Sequence, residues 1–386
     1  MKQAPNIYMD YAAATPLDPK ILNKMLPYFS DNYYNPSATY LSAQAVAQDI
    51  AEARNKIAKG LGVKPVEIIF TAGGTEANNL AIKGVMERFP EAQVITSNIE
   101  HESVLRSAEK YSYSQVRVAS DGRLSTANLE KELTDKTVLV SIILANNEIG
   151  TIQSIRKISA LIEKIGQARE KSGNNMPLYL HTDASQAPLF LDLHFSRLGV
   201  DMMTLNGGKI YGPKQSGLLV VKTGIVLYPL IDGGGQERQL RSGTENVPAI
   251  IGLSEAIISA QKHHKSESLR LTKLRDWFIT ELSREIPDAL INGSLKYRLP
   301  NNINITIPGT DNERIMMELD ELGIQCAVGS ACSASNDQPS HVLEAIGLTD
   351  EGAQSSLRFS LGRTTTKQDI NYVIKSLKKI CSKKYI

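Results

Sequence analysis

The chain has 386 residues, 42% of them hydrophobic and 22% charged, a composition that excludes collagen-like, disordered and coiled-coil organisation. Its 43 Lys and Arg against 41 Asp and Glu leave a net charge of +2, so the balance gives no reason to expect nucleic acid as a direct substrate. Length allows roughly two or three domain-sized units with a large core.

Met1–Pro16 has no apolar run and carries Asp10 where one would be needed, so it does not read as a secretory signal. The most apolar stretch, Val138–Ala145, is too short to span a bilayer, and no membrane contact is expected. Residues 16–259 then alternate short β-rich runs with helical stretches. The predicted strands are Glu67–Thr71, Gln93–Ser97, Gln115–Ala119, Thr137–Leu144, Leu178–Thr182, Asp201–Leu205 and Gly217–Val221. Glu76–Arg88 and Ile155–Glu170 are amphipathic helices between them. This βαβ pattern predicts an α/β unit built on a mostly parallel, seven-stranded sheet, with ligands outside the carboxyl ends of the strands.

After residue 259 the character changes. A polar helix at Ser266–Glu285 leads to a strand at Asn302–Ile307, a helix at Glu313–Leu322, a strand at Ile324–Val328 and a last helix at Lys367–Cys381. Residues 1–15 with 260–386 are expected to form a smaller α+β unit, joined to the first through the long helix. Cys326, Cys332 and Cys381 cannot all pair and make no C-x-x-C, which points to a reduced, cytoplasmic setting.

Four short stretches carry chemistry. In Phe70-Thr71-Ala72-Gly73-Gly74-Thr75-Glu76 a strand ends, two glycines turn the chain and a helix begins, offering N–H groups to a phosphate; a plain βα turn capped by Thr75 is the alternative. His181-Thr182-Asp183-Ala184-Ser185-Gln186 puts an acidic residue at a strand's carboxyl end, where it can meet a cationic ring nitrogen or simply cap a helix. His181 and Asp183 lack a third ligand nearby, so no metal is expected. In Leu205-Asn206-Gly207-Gly208-Lys209 a lysine follows an apolar strand, the setting of either a Schiff-base amine or a basic loop residue. Cys332, among the small residues of Gly329-Ser330-Ala331-Cys332-Ser333-Ala334, is the nucleophile candidate, whereas Cys326 and Cys381 read as structural. A phosphate cradle, a carboxylate for a ring nitrogen and a Schiff-base lysine together ask for pyridoxal 5'-phosphate.

From Tyr8-Met9-Asp10-Tyr11-Ala12-Ala13-Ala14-Thr15-Pro16 to Ser360-Leu361-Gly362-Arg363, the ordered run of motifs resembles the cysteine desulfurases of the NifS/IscS type, class-V aminotransferase relatives with the fold type I architecture. The resemblance implies a large cofactor-binding domain at 16–259 and a small domain carrying the catalytic cysteine loop. It implies that Lys209 holds the cofactor and moves the substrate's Cα proton, that Asp183 pairs with the ring nitrogen, and that His101 stacks on the ring and shuttles protons. Asn147 and Gln186 would bond the ring's oxygen side, and Gly74, Thr75 and Asn206 the phosphate, with Gly208 beside them where a histidine is usual. Thr244 would complete the site of the other subunit in a homodimer, and Asn35 and Arg358 would hold the carboxylate of L-cysteine. Cys332 would take the sulfur as a persulfide, leaving alanine, and pass it to a protein acceptor for iron–sulfur cluster assembly or tRNA thiolation.

Asn206 stands where a serine is common, and Tyr40 where the Asn35 motif usually has a histidine. Two rivals keep the cofactor. An aminotransferase has no use for Cys332, while a selenocysteine lyase is not separated from a desulfurase by sequence. A non-catalytic relative is favoured by Gly208 alone and opposed by the joint presence of Lys209, Asp183, His101 and Cys332.

Overall fold

The computed structural model describes residues 6–329 and 339–382. Strand β1 (Ile7–Tyr8) is followed by β2 (Ile68–Thr71), β3 (Gln93–Ser97), β4 (Ser112–Val116), β5 (Thr137–Ser141), β6 (Tyr179–Asp183), β7 (Met202–Asn206) and β8 (Gly217–Val221). The last seven form one sheet in the order β2-β8-β7-β6-β5-β3-β4. All are parallel except β8, which runs antiparallel to both β2 and β7.

The sheet is buried on both faces, which is why its strands read as continuous apolar runs. Ile68, Phe70, Leu218 and Val220 face one core with Ile158 and Ile162 of the helix Ile155–Lys171. Ile69, Leu219 and Val221 face a second core with Leu80, Val85 and Met86 of the helix Gly74–Met86. With both faces covered, the sheet's carboxyl edge is left for chemistry.

Two predicted strands change by three residues at an end, and three others by one. β4 begins three residues earlier than expected and stops at Val116, because Val118 N–H donates to Asn98 and Ala119 enters a turn with Arg123. β5 ends as a regular strand at Ser141, yet Ile142 and Leu144 still donate to the carbonyls of His181 and Asp183. The chain therefore stays beside β6 as it enters the site.

The long helix is Val247–Glu285, nineteen residues earlier at its start than the polar stretch suggested. Asn246 caps it by accepting from Ala249 N–H, and Pro248 occupies its first turn, where a missing N–H costs nothing. The boundary expected at 259/260 falls inside this helix. Its first half buries Leu253 and Ile257 in the core beneath the large sheet, and its second half buries Leu271, Phe278 and Leu282.

Beyond it, β9 (Leu290–Ile291), β10 (Asn302–Thr306) and β12 (Ser356–Ser360) make an antiparallel sheet in the order β12-β10-β9. β11 (Ile324–Gln325) pairs in parallel with β1, which ties the N-terminal segment to this smaller layer. The terminal helix Lys367–Cys381 buries Ile370, Val373, Ile374, Leu377 and Ile380, as its spacing predicts. Among the described residues no helix is long and apolar enough to cross a membrane.

The Phe278 ring lies 5.2 Å from that of Phe359 and is fully buried. Phe278→Ala is expected to cost about 3–5 kcal/mol, read as a lowered urea midpoint with secondary structure retained before the transition.

Candidate active site

Two adjoining cavities open at the carboxyl edge of the large sheet, of about 600 and 160 Å³, and they share Ala13, Gly74, Thr75, Asn206 and Lys209. The larger is lined by the glycine turn that the sequence reading offers to a phosphate. Gly73 leaves β2 at φ 144°, ψ 178°, and the helix Gly74–Met86 starts with no side chain capping it. A Cβ on Gly74 would stand 3.1 Å from Ser185 Oγ and 3.3 Å from Asn206 Cβ, so the absence of a side chain shapes the cradle. A Cβ on Gly217 would lie 2.6 Å from the Gly73 carbonyl carbon, so two backbones meet where β8 passes behind. Glu76, an anion at this mouth, is engaged by Arg241 Nε at 3.0 Å and by Ala72 N–H at 2.8 Å.

The smaller cavity gathers His101, Asn147, Asp183, Gln186, Lys209 and Arg358. Asp183, buried at the end of β6, accepts from Asn78 Nδ2 at 2.7 Å and from Ser185 N–H at 2.9 Å. His101 caps the helix Glu102–Ala108, its Nδ1 accepting from Ser103 N–H at 3.1 Å. A neutral imidazole so bonded carries its proton on Nε2. Lys209 Nζ donates to the carbonyls of Ala12 (3.1 Å) and Ala13 (2.6 Å), and Gln186 Nε2 also donates to Ala12 (2.9 Å). Asn206 Oδ1 accepts from Gly208 N–H at 3.0 Å, holding the turn that presents Lys209.

Arg358 lies on β12 and is 1% exposed. Its Nη2 donates to Asp10 at 2.7 Å and its Nη1 to the Asn147 carbonyl at 3.2 Å, while Nε is buried with no partner among the described residues. Asn35 sits on an exposed turn, accepting from Ser37 N–H, and Thr244 is exposed on the loop before the long helix; neither lines these cavities within one chain. Cys332 lies outside the described residues. The chain on either side of it is tied to the site: Ala327 exchanges backbone hydrogen bonds with Arg358, Ser340 Oγ donates to Glu148, and His341 Nε2 meets the Glu100 carbonyl at 3.0 Å.

His181 is a core residue, its Nδ1 with Ser141 Oγ at 2.8 Å and its Nε2 with Thr204 Oγ1 at 3.0 Å, and burial keeps it neutral. Burial also pushes the Cys326 thiol up to about 12, which leaves it unreactive as a nucleophile. The sequence reading missed Asn78, which holds Asp183, Ser103, which holds His101, and Asp10, which holds Arg358. A signal existed for Asn78: it is a polar residue on the buried side of an otherwise apolar helix face.

The residues fit pyridoxal phosphate. The glycine cradle accepts an anion at a helix start, a buried carboxylate awaits a cationic ring nitrogen, and a lysine joins the two cavities. The chain belongs to the aminotransferase class-V family, whose match covers residues 7–373, and is an enzyme of that pyridoxal phosphate-dependent class. Within it, a cysteine desulfurase IscS from Dictyoglomus turgidum is 42% identical over 384 residues, covering 98% of this chain and 95% of that protein. A second, from Clostridium botulinum, is 39% identical over 383 residues, covering 97% and 94%. A solved NifS-like protein superposes with a TM-score of 0.89 at 32% identity, covering 98% of this chain and all of that one. The likeness to NifS/IscS enzymes and the fold type I architecture read from the motifs are thus borne out.

Glu100 is fully buried beside this site; burial pushes its carboxyl up to about 8, and the charge of Asp183 adds to the shift. The folded protein therefore holds this proton more tightly than the unfolded chain, whose carboxyl titrates near 4.5. Glu100 contributes full stability below that value and loses it as pH rises through about 8. Glu100→Gln should remove this part of the slope, at most about 1.4 kcal/mol per pH unit, as the difference between wild-type and variant denaturation curves measured from pH 5 to 8.

Proposed function

We propose that the protein is a cysteine desulfurase that converts L-cysteine to L-alanine and a persulfide on Cys332. The observation that carries this reading is the convergence of Lys209, Asp183, His101 and Arg358 on one cavity, with the segment that bears Cys332 tied to the cavity's wall at Ala327 and Ser340. The relatives named cysteine desulfurase support it.

Pyridoxal phosphate, when bound, supplies an electron sink for negative charge developing at the substrate's Cα. Gly74, Thr75 and Asn206 would hold its phosphate, Asp183 its ring nitrogen, and Asn147 and Gln186 its oxygen side, with His101 against the ring. Arg358, with Asn35, would orient the substrate carboxylate. Lys209 would take the Cα proton and return one, and its short tether to the Ala12–Ala13 backbone sets where that amine starts. The Cys332 thiolate would then attack the substrate Sγ, the Cβ–Sγ bond breaking with its electron pair passing to Cβ, where an added proton completes alanine's methyl group.

In this reading, residues 16–259 hold the cofactor and residues 1–15 with 260–386 bring Cys332 to it. A homodimer places Thr244 in the neighbouring subunit's site. A cytoplasmic protein acceptor, a cluster scaffold or a tRNA-thiolation enzyme, then receives the sulfur.

Cys332→Ala should lower alanine formation from L-cysteine by at least roughly a thousandfold while the cofactor's visible absorbance is unchanged. Peptide mass spectrometry of the wild type after cysteine should find one extra sulfur on the Cys332 peptide. Undiminished turnover in the variant, or sulfur on Cys326 instead, refutes the mechanism.

A further inference from the structure

Gly208 stands in the larger cavity where the resemblance leads one to expect a histidine. Its backbone is outside the left-handed region, so the turn does not require glycine. A Cβ there would have Asn206 Oδ1 at 3.5 Å and the Cγ and Cα of Lys214 at 3.7 and 3.8 Å, all ordinary contacts. The start of a side chain is thus accommodated at this position, and the stem of Lys214 borders it.

The charges of the cavity sharpen the point. A phosphate monoester brings a charge near −2, whereas a helix N-terminus offers the equivalent of about +0.5. Among the described residues, the cations that line this cavity are Lys209 and Lys214. Lys209 is bonded to the Ala12 and Ala13 carbonyls and is assigned to the chemistry. The nearby Arg241 is committed to Glu76 at 3.0 Å. Lys214 is exposed and makes no side-chain hydrogen bond or ion pair among the described residues. Two lining features, a missing imidazole and an uncommitted ammonium, fall at one corner of one anion cradle.

We propose that Lys214 is a phosphate-binding residue of this enzyme, supplying at the Gly208 corner the positive donor that a histidine would otherwise provide. The proposal rests on the pyridoxal phosphate reading and adds a residue that neither the motifs nor the fold assigned. A flexible ammonium on a four-carbon stem acts on phosphate as a point charge, so its geometry tolerates the longer reach.

The test is cofactor affinity, with turnover left aside. Apoprotein of the wild type, K214M, K214R and the double variant G208H/K214M is titrated with pyridoxal phosphate, and the dissociation constant and off-rate are read from the cofactor's absorbance. K214M should weaken binding about fivefold, the upper end for a charged contact at an exposed position. K214R should stay within about twofold of the wild type, and the double variant should recover most of the loss. Lys214 is exposed, and a thermal melt of each apoprotein checks that folding is unaffected. K214M binding as tightly as the wild type overturns the assignment, as does a loss in K214R equal to that in K214M, which would make the stem's shape the cause. A wild type that takes up no pyridoxal phosphate overturns the cofactor reading itself, an outcome distinct from both.

Discussion

The site is organised around a buried carboxylate. Asp183 is 5% exposed, and the groups that donate to it, the Asn78 amide and the Ser185 N–H, are neutral. An ionised carboxylate taken out of water needs hydrogen bonds and a counter-charge. Neutral donors provide the first, and a protonated ring nitrogen would provide the second. The same charge reaches Glu100, where it adds to burial in keeping that neighbouring carboxyl protonated. Burial thus keeps one acid of this small region neutral within the wall, while the other is held by neutral donors. Glu100 precedes His101 in the chain, so the wall that stays neutral also sets where the His101 imidazole begins.

The fold delivers these groups because parallel strands end together. β2, β3, β5, β6 and β7 all finish at one edge, and Gly73, His101, Asn147, Asp183 and Lys209 stand at their ends or within a few residues beyond them. β8 enters from that edge in the opposite sense, which brings Gln215 to the larger cavity and packs Gly217 against Gly73. Each strand is fixed by apolar side chains on both faces, so the edge inherits the rigidity of two cores. The helix Val247–Glu285, about 58 Å long at 1.5 Å per residue, runs beneath both layers and keeps the smaller sheet in register with that edge.

Much of this was legible in the sequence for a physical reason. Strands buried on both faces leave apolar runs, and the turns after them must carry Gly, Asn or Asp, so both the sheet and its chemistry stand out. The start of the long helix was not legible from polarity, because its first half is buried and interrupted by Gly252; the Asn246–Pro248 cap was the readable sign. Asn78, Ser103 and Asp10 escaped because their work is to hold another side chain, and that relation exists only after folding brings residues together: Asp10 and Arg358 are separated by most of the chain. Cys332 shows the converse. Its small-residue surroundings single it out in sequence, whereas the structure speaks through the ends of its segment, at Ala327 and Ser340.

Arg358 joins three parts of the chain at one guanidinium. β12 supplies the residue, the N-terminal segment supplies Asp10, and the chain beyond β5 supplies the Asn147 carbonyl. The edge of a guanidinium that grips a carboxylate side-on is the pair Nε and Nη2. Here Nη2 is bonded to Asp10 and Nε has no partner among the described residues, so half of that edge is held and half is left wanting an acceptor. A buried donor without a partner is costly, and an incoming carboxylate that satisfies Nε removes the cost as it binds. The same arginine exchanges backbone hydrogen bonds with Ala327, on the approach to Cys332. In the proposed mechanism, recognition of the substrate's carboxylate and placement of the segment that bears Cys332 would therefore meet in a single residue.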